Sequence, residues 1–346
     1  MLRKILLKFI FIDLLLISSG VLGFAQSDML TYYTNLAKGQ GKIIFGAVKV
    51  DKLLKDPNTP DSLKTKLCTA LHIRRFAFDY LNLTENKNYT TYYDQKGQPL
   101  LWTITASEKY SLTPKTWKFP IAGEVGYKGF FSKDDAEAEA LELQNQGYET
   151  RIRAVNAWST LGFLQDPILS SMLDESLGEL ANVLIHELSH GTIFIKGNTE
   201  ESENLATFIG DKGAYLYLEY YYGKDSKEYL EYMHDQEDYN MLSMAMVKGA
   251  QKLDSLYENI KELPDHEKEI LKQKTIQEIV DGINELPFHN KDAFKAFRNS
   301  SKLPNNATFV LFRQYNNKYE KYEEEFQREA QGDLVKYIEF LKRRYS

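Results

Sequence analysis

The chain has 346 residues, 43% of them hydrophobic and 13% aromatic, which is enough apolar surface to bury a large core. It carries 43 basic and 49 acidic side chains, so its net charge is −6. This balance excludes the positive surface that neutralises phosphates, and nucleic acid is not expected as a partner.

The first 25 residues have the layout of a secretory signal peptide. Basic residues precede an apolar run from Phe9 to Phe24, and the segment closes on Gly23-Phe24-Ala25, whose small residues fit a cleavage site. The alternative is an uncleaved membrane anchor, but the run is marginal for crossing about 30 Å and contains Asp13. We expect an exported protein, periplasmic or secreted, with membrane association only if this segment stays uncleaved.

Apolar residues recur at helical spacing between Tyr32 and Leu83, where Pro57 and Pro60 separate two predicted helices. Cys68 is the single cysteine, so no intramolecular disulfide can form. It lies beside the apolar spacing of the second helix, and we predict that it is buried.

Between Tyr89 and Ala157 the spacing of the apolar residues shortens from the helical period to that of strands. Segments rich in β-branched and aromatic residues predict a small sheet with strands near 100–105, 125–131 and 150–155, and a helix over about 133–147 separates the last two. The predicted strand 123–131 is a candidate edge strand for holding an extended peptide. Glu124 at its entrance is a candidate for binding a substrate α-ammonium group, the alternative being a solvated strand-end residue.

After Pro167 the spacing is helical to the end of the chain. We predict helices over 175–196, 199–222, 226–260, 265–283, 290–300 and 306–344. The fold class is α+β with helices predominating. No repeat or linker divides the chain, so we predict one domain over 26–346, with helices at 30–85, a small sheet at 95–158, two central helices at 175–222 and C-terminal helices at 226–346.

A tyrosine cluster lies in the second central helix, at Tyr215, Tyr217, Tyr220, Tyr221 and Tyr222. Such a cluster could contact carbohydrate. We favour an amphipathic helix that packs the rings inward with the hydroxyls at the rim.

The first central helix carries His186-Glu187-Leu188-Ser189-His190. Side chains four residues apart project from one helix face, so both imidazoles can bind one cation. Neutral imidazole nitrogens suit Zn²⁺, while Glu187 is offset enough to miss the ion and still reach a water molecule beside it. The pattern predicts one zinc ion with Glu187 as general base. The alternatives are a structural zinc site and a helix with two surface histidines.

Glu203 is the predicted third zinc ligand. It lies in the first turn of the second central helix, 13 residues after His190, and Asn198 with Glu201 fits the start of that helix. Small side chains at 206, 207 and 210 would let the two helices approach closely. Glu200 and Glu201 are the competing ligands, whereas four histidines without ligand spacing are not expected to bind metal: His72, His234, His266 and His289.

The order of motifs resembles the bacterial predicted aminopeptidase family within the large HExxH zincin group. The motifs that carry the resemblance are Tyr32-Tyr33 with 38–41, the helix 73–77, the segments 111–121, 126–131 and 157–163 with Asp166-Pro167, the HExxH helix, 203–206 and, more weakly, 305–307. The resemblance implies a zincin fold with one zinc held by His186, His190 and Glu203. Family members usually have a lipid-anchoring cysteine near the start, often Asn where this chain has Ser202, and a cysteine where it has Glu124.

The sequence thus predicts a zinc-dependent hydrolase of peptide or protein substrates, in which Glu187 takes a proton from water and returns it to the leaving amine. The resemblance adds aminopeptidase activity. The alternatives are an envelope endopeptidase and a non-enzymatic helical binding protein with a structural zinc. A further donor would stabilise the oxyanion, and the candidates are Tyr127, Trp158 and Tyr315.

Overall fold

The structure is a computed structural model that describes residues 25–119, 123–155, 165–195, 198–290, 292, 294, 303–315 and 319–345. The chain divides into two compact units, Met1–Lys42 and Ile43–Ser346. The first unit is described only from residue 25, where it is helical. The predicted signal segment lies outside the described residues, and both it and the predicted single domain stay predictions.

Within residues 25–83 the structure has three helices where the sequence predicts two. Their bounds are α1 (Ala25–Gly46), α2 (Val50–Lys55) and α3 (Asp61–Asp79). Helix α3 buries a stripe that includes Leu67, Ala70 and Ile73. The prediction for Cys68 is wrong, because this residue is exposed. It follows Leu67 by one position, about 100° around the helix, and so leaves the buried stripe.

In the part of the chain that the structure describes, three small sheets form instead of the single predicted one. Their strands are β1 (Val48–Lys49), β2 (Thr91–Tyr93), β3 (Leu101–Glu108), β4 (Trp117–Phe119), β5 (Gly123–Val125), β6 (Lys128–Phe130), β7 (Tyr148–Val155) and β8 (Ile168–Leu169). In the first sheet, β2 pairs antiparallel with β1 and parallel with β8. In the second, β3 lies between β6 and β7 and is antiparallel to both.

The predicted strand 123–131 is wrong as a single element. Its first part, β5, pairs with β4 in a separate two-stranded sheet, and its second part, β6, is an edge strand beside β3. The chain leaves the extended pairing at Gly126 and Tyr127. Helix α4 (Lys133–Asn145) then follows, with the Ser132 hydroxyl accepting from the Asp135 amide at 3.3 Å, and leads into β7.

The rest of the chain is mainly helical. A short 3₁₀ helix (Ser170–Asp174) precedes α5 (Leu177–His190), α6 (Thr199–Tyr222), α7 (Lys227–Asn259), α8 (Asp265–Asn284), α9 (Asn306–Tyr315), α10 (Tyr319–Ala330) and α11 (Leu334–Tyr345). The predicted single helix 306–344 is therefore three helices, and most of the predicted helix 290–300 lies outside the described residues. Within the described ranges, no helix combines the length and apolarity needed to cross a membrane.

The described residues of the larger unit form two apolar cores. The first packs α3, α5 and α6 together with α10 and α11. The second is built from α7, α8 and α9. Lys272 of α8 is fully buried between this second core and the sheet of β3, β6 and β7. Its ammonium contacts the Glu149 carboxylate of β7 and donates to the Lys109 carbonyl at 2.8 Å.

The tyrosine cluster of α6 packs inward only in part. Tyr217 is fully buried and its hydroxyl lies 2.9 Å from His72 Nδ1, while Tyr215 is half-buried. Tyr220, Tyr221 and Tyr222 are exposed, so the prediction that the rings pack inward is wrong for these three.

Candidate metal centre

Local sequence sets the ends of the two helices that carry the candidate ligands. The Ser176 hydroxyl accepts from the Glu179 amide at the start of α5, and the Asn198 side chain accepts from the Glu201 amide at 3.0 Å at the start of α6. The predicted cap at Asn198 is thus confirmed. Helix α5 ends at His190 rather than near Gly197, so the two histidines lie in its last two turns.

Small residues bring α5 and α6 close together. A Cβ atom at Gly210 would lie 2.5 Å from Asn182 Oδ1 and 3.0 Å from the Cβ of His186. A Cβ atom at Gly213 would lie 2.8 Å from Ile185 Cγ2. Side chains at these two positions would collide with α5, so the glycines set the separation of the helices, as the sequence predicted for position 210.

Three predicted ligands converge across this helix pair. His186 Nε2 lies 3.5 Å from Glu203 Oε2, and His190 Nε2 lies 3.5 Å from Glu203 Oε1. The ligand atoms of His186, Glu187 and His190 all lie within 4.8 Å of one another, and this is the one group in the described part of the chain with a spacing that suits a metal ion. Through its two 3.5 Å separations, Glu203 of α6 faces both imidazoles of α5.

The site is closed on one side and open on the other. The His190 side chain is only 1% exposed, whereas those of His186 and Glu203 are 20% and 43% exposed. Glu187, on the same helix as the two histidines, is buried. A ligand reaching the three side chains would approach from the side of His186 and Glu203.

The charges of the site depend on one another. Burial would raise the pKa of the Glu203 carboxyl, but the hydrogen bonds and charges of the two imidazoles outweigh burial and lower it well below its usual range. Burial would lower the pKa of His186, but Glu203 and Glu187 outweigh it and raise the pKa. In the absence of an ion, the site thus favours an anionic Glu203 beside a His186 whose pKa is raised.

The residues fit a zinc ion. Ligands at about 2.0–2.1 Å in tetrahedral geometry lie roughly 3.3 Å apart, close to the two observed separations between imidazole nitrogens and carboxylate oxygens. Two nitrogens and one oxygen form a donor set typical of zinc sites that keep a fourth position open. Among the described residues, buried Glu187 Oε2 and His190 Nδ1 have no hydrogen-bond partner, so this carboxylate oxygen is not bound by another protein group.

Two further acids, Glu179 of α5 and Asp211 of α6, lie on the same two helices. Burial and neighbouring acids raise the pKa of Glu179 to about 7, and burial raises that of Asp211 to about 6. Asn182 joins α5 and α6 here, because its amide donates to Asp211 Oδ1 at 2.9 Å and to the Tyr232 hydroxyl at 3.1 Å. This contact adds a polar link between the two helices one turn from His186.

The remaining predicted site residues are Glu124, Tyr127, Trp158 and Tyr315, together with the competing ligands Glu200 and Glu201. Glu124 contacts the Thr116 hydroxyl, and Tyr127 is 42% exposed between β5 and β6. Trp158 lies outside the described residues, and of Tyr315 and Glu200 only the helical backbone is described. Glu201, a competing zinc ligand, instead pairs with Lys321 at 2.8 Å. The proposed roles of the first four residues stay predictions.

The other four histidines have different partners. His72 faces Tyr217, and His266 lies on the surface beside Glu267. His234 stacks on His289 with ring centroids 4.2 Å apart, and His289 pairs with Glu237 at 2.6 Å.

Sequence reasoning missed Tyr89. This tyrosine is fully buried, and burial together with the Glu187 carboxylate raises the pKa of its hydroxyl well above the usual value. Its backbone has φ +60°, a left-handed conformation rare for residues with a side chain. Neither the polar segment around it nor any periodicity indicates a place beside the HExxH helix.

Comparison with known protein families gives a match over most of the chain. A family model described as "Putative aminopeptidase" matches residues 31–344. No curated protein and no solved structure matches the chain.

Proposed function

The chain belongs to the aminopeptidase family whose model it matches, and we propose that it hydrolyses peptide bonds with one Zn²⁺ held by His186, His190 and Glu203. Family membership supports peptide substrates. One observation carries the metal: the Glu203 carboxylate lies 3.5 Å from an imidazole nitrogen of both histidines, across two helices that glycines hold together.

The residues of the candidate site each have a defined task in this proposal. When bound, the ion lowers the pKa of a water molecule at the open position towards 7 and polarises the peptide carbonyl. Glu187 takes the proton from that water and returns it to the leaving amine. Burial of His190 keeps solvent away from one side of the site, while partly exposed His186 and Glu203 leave the other side to the substrate.

Substrate specificity and location extend the same proposal. The family assignment supports removal of residues from a free N-terminus. The signal-like segment at the start of the chain supports action outside the cytoplasm, on peptides of the periplasm or the medium.

Glu187→Gln tests the role of the general base. The amide keeps the size of the side chain but cannot accept the proton, so we expect zinc content and melting temperature to stay unchanged while kcat falls by roughly 10²- to 10⁴-fold. Glu175→Gln makes the same change at an exposed residue just before α5 and should keep full activity.

The assay uses zinc-loaded protein and fluorogenic peptides with free or blocked N-termini. Cleavage of the free peptides alone is the result expected of an aminopeptidase. Cleavage confined to blocked peptides would refute that specificity, and full turnover by Glu187→Gln would refute the mechanism. A wild-type protein that binds no zinc and cleaves neither peptide set would refute the proposed function.

A further inference from the structure

Strand β7 carries two arginines on one face of its sheet. Arg151 and Arg153 are two residues apart, so their side chains leave the strand on the same side, with Cα atoms about 6.8 Å apart. The register with β3 agrees, because Arg151 lies opposite Thr105 and Arg153 lies opposite Thr103. Two positive side chains are therefore neighbours on this face.

Arg151 differs from the two other described arginines that are half-buried. Arg74 donates to the Asn88 carbonyl at 2.8 Å, and Arg313 donates to Asp254 Oδ2 at 2.8 Å. Arg151 is also half-buried. In the described part of the chain, however, its guanidinium has no hydrogen bond, ion pair or ring contact. A group with several N–H donors is thus partly removed from water without a partner, which is costly.

Glu149, the acid of β7 on this face, is bound by other groups. It precedes Arg151 by two residues. One of its carboxylate oxygens contacts the Lys272 ammonium, and the other accepts from the Asn306 amide at 2.8 Å. Burial and the charge of Arg153 lower the pKa of Arg151, as expected where no carboxylate offsets them. The two arginines are therefore not neutralised by this acid.

The two arginines are accessible at the edge of their sheet. Among the described residues, β7 has β3 on one side and no paired strand on the other. Arg153 is exposed, and within the described ranges its side chain also lacks a hydrogen bond or ion pair. A ligand can thus reach Arg153 from solvent and contact Arg151 beside it.

We propose that Arg151 and Arg153 together bind an oxyanion, carried by a carboxylate or a phosphate group. The planar guanidinium presents paired N–H donors that match two oxygens of such a group. Because Arg151 is half-buried, its attraction to a bound anion is screened less than at an exposed site. The site uses none of the proposed zinc ligands and no step of peptide hydrolysis, so it can be tested whether or not the proposed function holds.

Arg151→Met and Arg153→Met each remove one guanidinium and keep an unbranched side chain. Arg153 is exposed, so its variant should fold and decides the test if Arg151→Met does not fold. Arg343→Met is the matched control. Arg343 of α11 is exposed and, as far as the structure describes the chain, its side chain has no hydrogen bond or ion pair.

Isothermal titration calorimetry at fixed ionic strength measures binding of inorganic phosphate, triglycine and triglycine amide. The two peptides differ only in the terminal carboxylate. We expect the wild-type protein and Arg343→Met to bind phosphate or triglycine. Affinity for that anion should fall about tenfold or more in Arg151→Met and in Arg153→Met, equivalent to about 1.4 kcal/mol. Because only these two variants lose affinity, the comparison separates this site from any binding at the metal centre.

The choice of probe identifies the oxyanion. Binding of phosphate alone assigns a phosphate group, whereas binding of triglycine but not of its amide assigns a carboxylate such as a peptide C-terminus. The inference would be overturned if the wild-type protein bound neither anion, or if either arginine variant of β7 kept wild-type affinity. An equal loss of affinity in Arg343→Met would overturn it as well.

Discussion

Gly210→Ala tests whether the spacing between α5 and α6 fixes the metal site. The new Cβ atom would lie 3.0 Å from both the Asn182 carbonyl oxygen and the Cβ of His186, whereas ordinary contacts begin at 3.4 Å. Neither atom belongs to the end of a flexible side chain. The helices must therefore separate by about 3.4 − 3.0 = 0.4 Å at this point.

Such a shift is large for a metal site. Zinc ligands are held within about 0.2 Å of their preferred distances, and Glu203 lies on the displaced helix two turns from Gly210. We expect zinc affinity to fall roughly tenfold, equivalent to about 1.4 kcal/mol. Overpacking should cost about 1–3 kcal/mol of stability, partly offset by about 1 kcal/mol from the better helix propensity of alanine.

Two other glycines provide controls for the same substitution. A Cβ atom at Gly282 of α8 meets nothing within 4 Å, so Gly282→Ala should stabilise the protein by about 0.4–1 kcal/mol. A Cβ atom at Gly249 of α7 would lie 2.8 Å from Ile279 Cγ2 in the second core, so Gly249→Ala should destabilise without changing zinc affinity. Denaturant unfolding gives stability, and competition with a chromogenic chelator gives zinc affinity.

The reasoning would be refuted by a Gly210→Ala protein that binds zinc within twofold of wild type and gains stability as Gly282→Ala does. Loss of zinc affinity in Gly249→Ala as well would show that general destabilisation, rather than helix spacing, controls the site.

Two further predictions concern buried charges. The folded protein holds a proton on Glu179 up to about pH 7, whereas the unfolded chain releases it near pH 4.5, so stability should fall as pH rises between these values. Glu179→Gln should remove up to about 3 kcal/mol of this dependence, measured by denaturant unfolding at pH 5 and pH 8. If the free energy of unfolding changes equally between these pH values in the variant and in the wild type, the assigned pKa is contradicted. Lys272→Met strips the Glu149 carboxylate of its buried cation and should cost about 3 kcal/mol or more. The double change with Glu149→Gln should recover much of that loss, and a neutral Lys272→Met would show that the pair contributes nothing.

Local signals in the sequence predicted the central helix pair well. The cap at Asn198, the i, i+4 histidines and the small residue at Gly210 each act through neighbours within one helix or one packed pair. The helix-dominated α+β class followed from apolar periodicity for the same reason. These features depend on short-range geometry that residue type largely dictates.

Other features depend on contacts or backbone angles that no local pattern encodes. Strands of two or three residues, such as β1 and β8, are too short for a period to be recognised. The break between α10 and α11 lies at Gln331 and Gly332, both with positive φ, and a glutamine there gives no warning of a turn. Tyr89 combines a positive φ with a backbone hydrogen bond to the distant Asp166 carbonyl.

Helix α7 has a mechanical consequence for the enzyme. It runs for 33 residues, about 50 Å, and contributes Tyr232 to the first core and Leu242 through Tyr257 to the second. A continuous helix of that length acts as a stiff rod, because bending it would break hydrogen bonds that the backbone satisfies within itself. The two cores therefore share one continuous element, and a substitution that shifts this helix in the second core also acts on the first core, which holds the helices of the candidate metal centre.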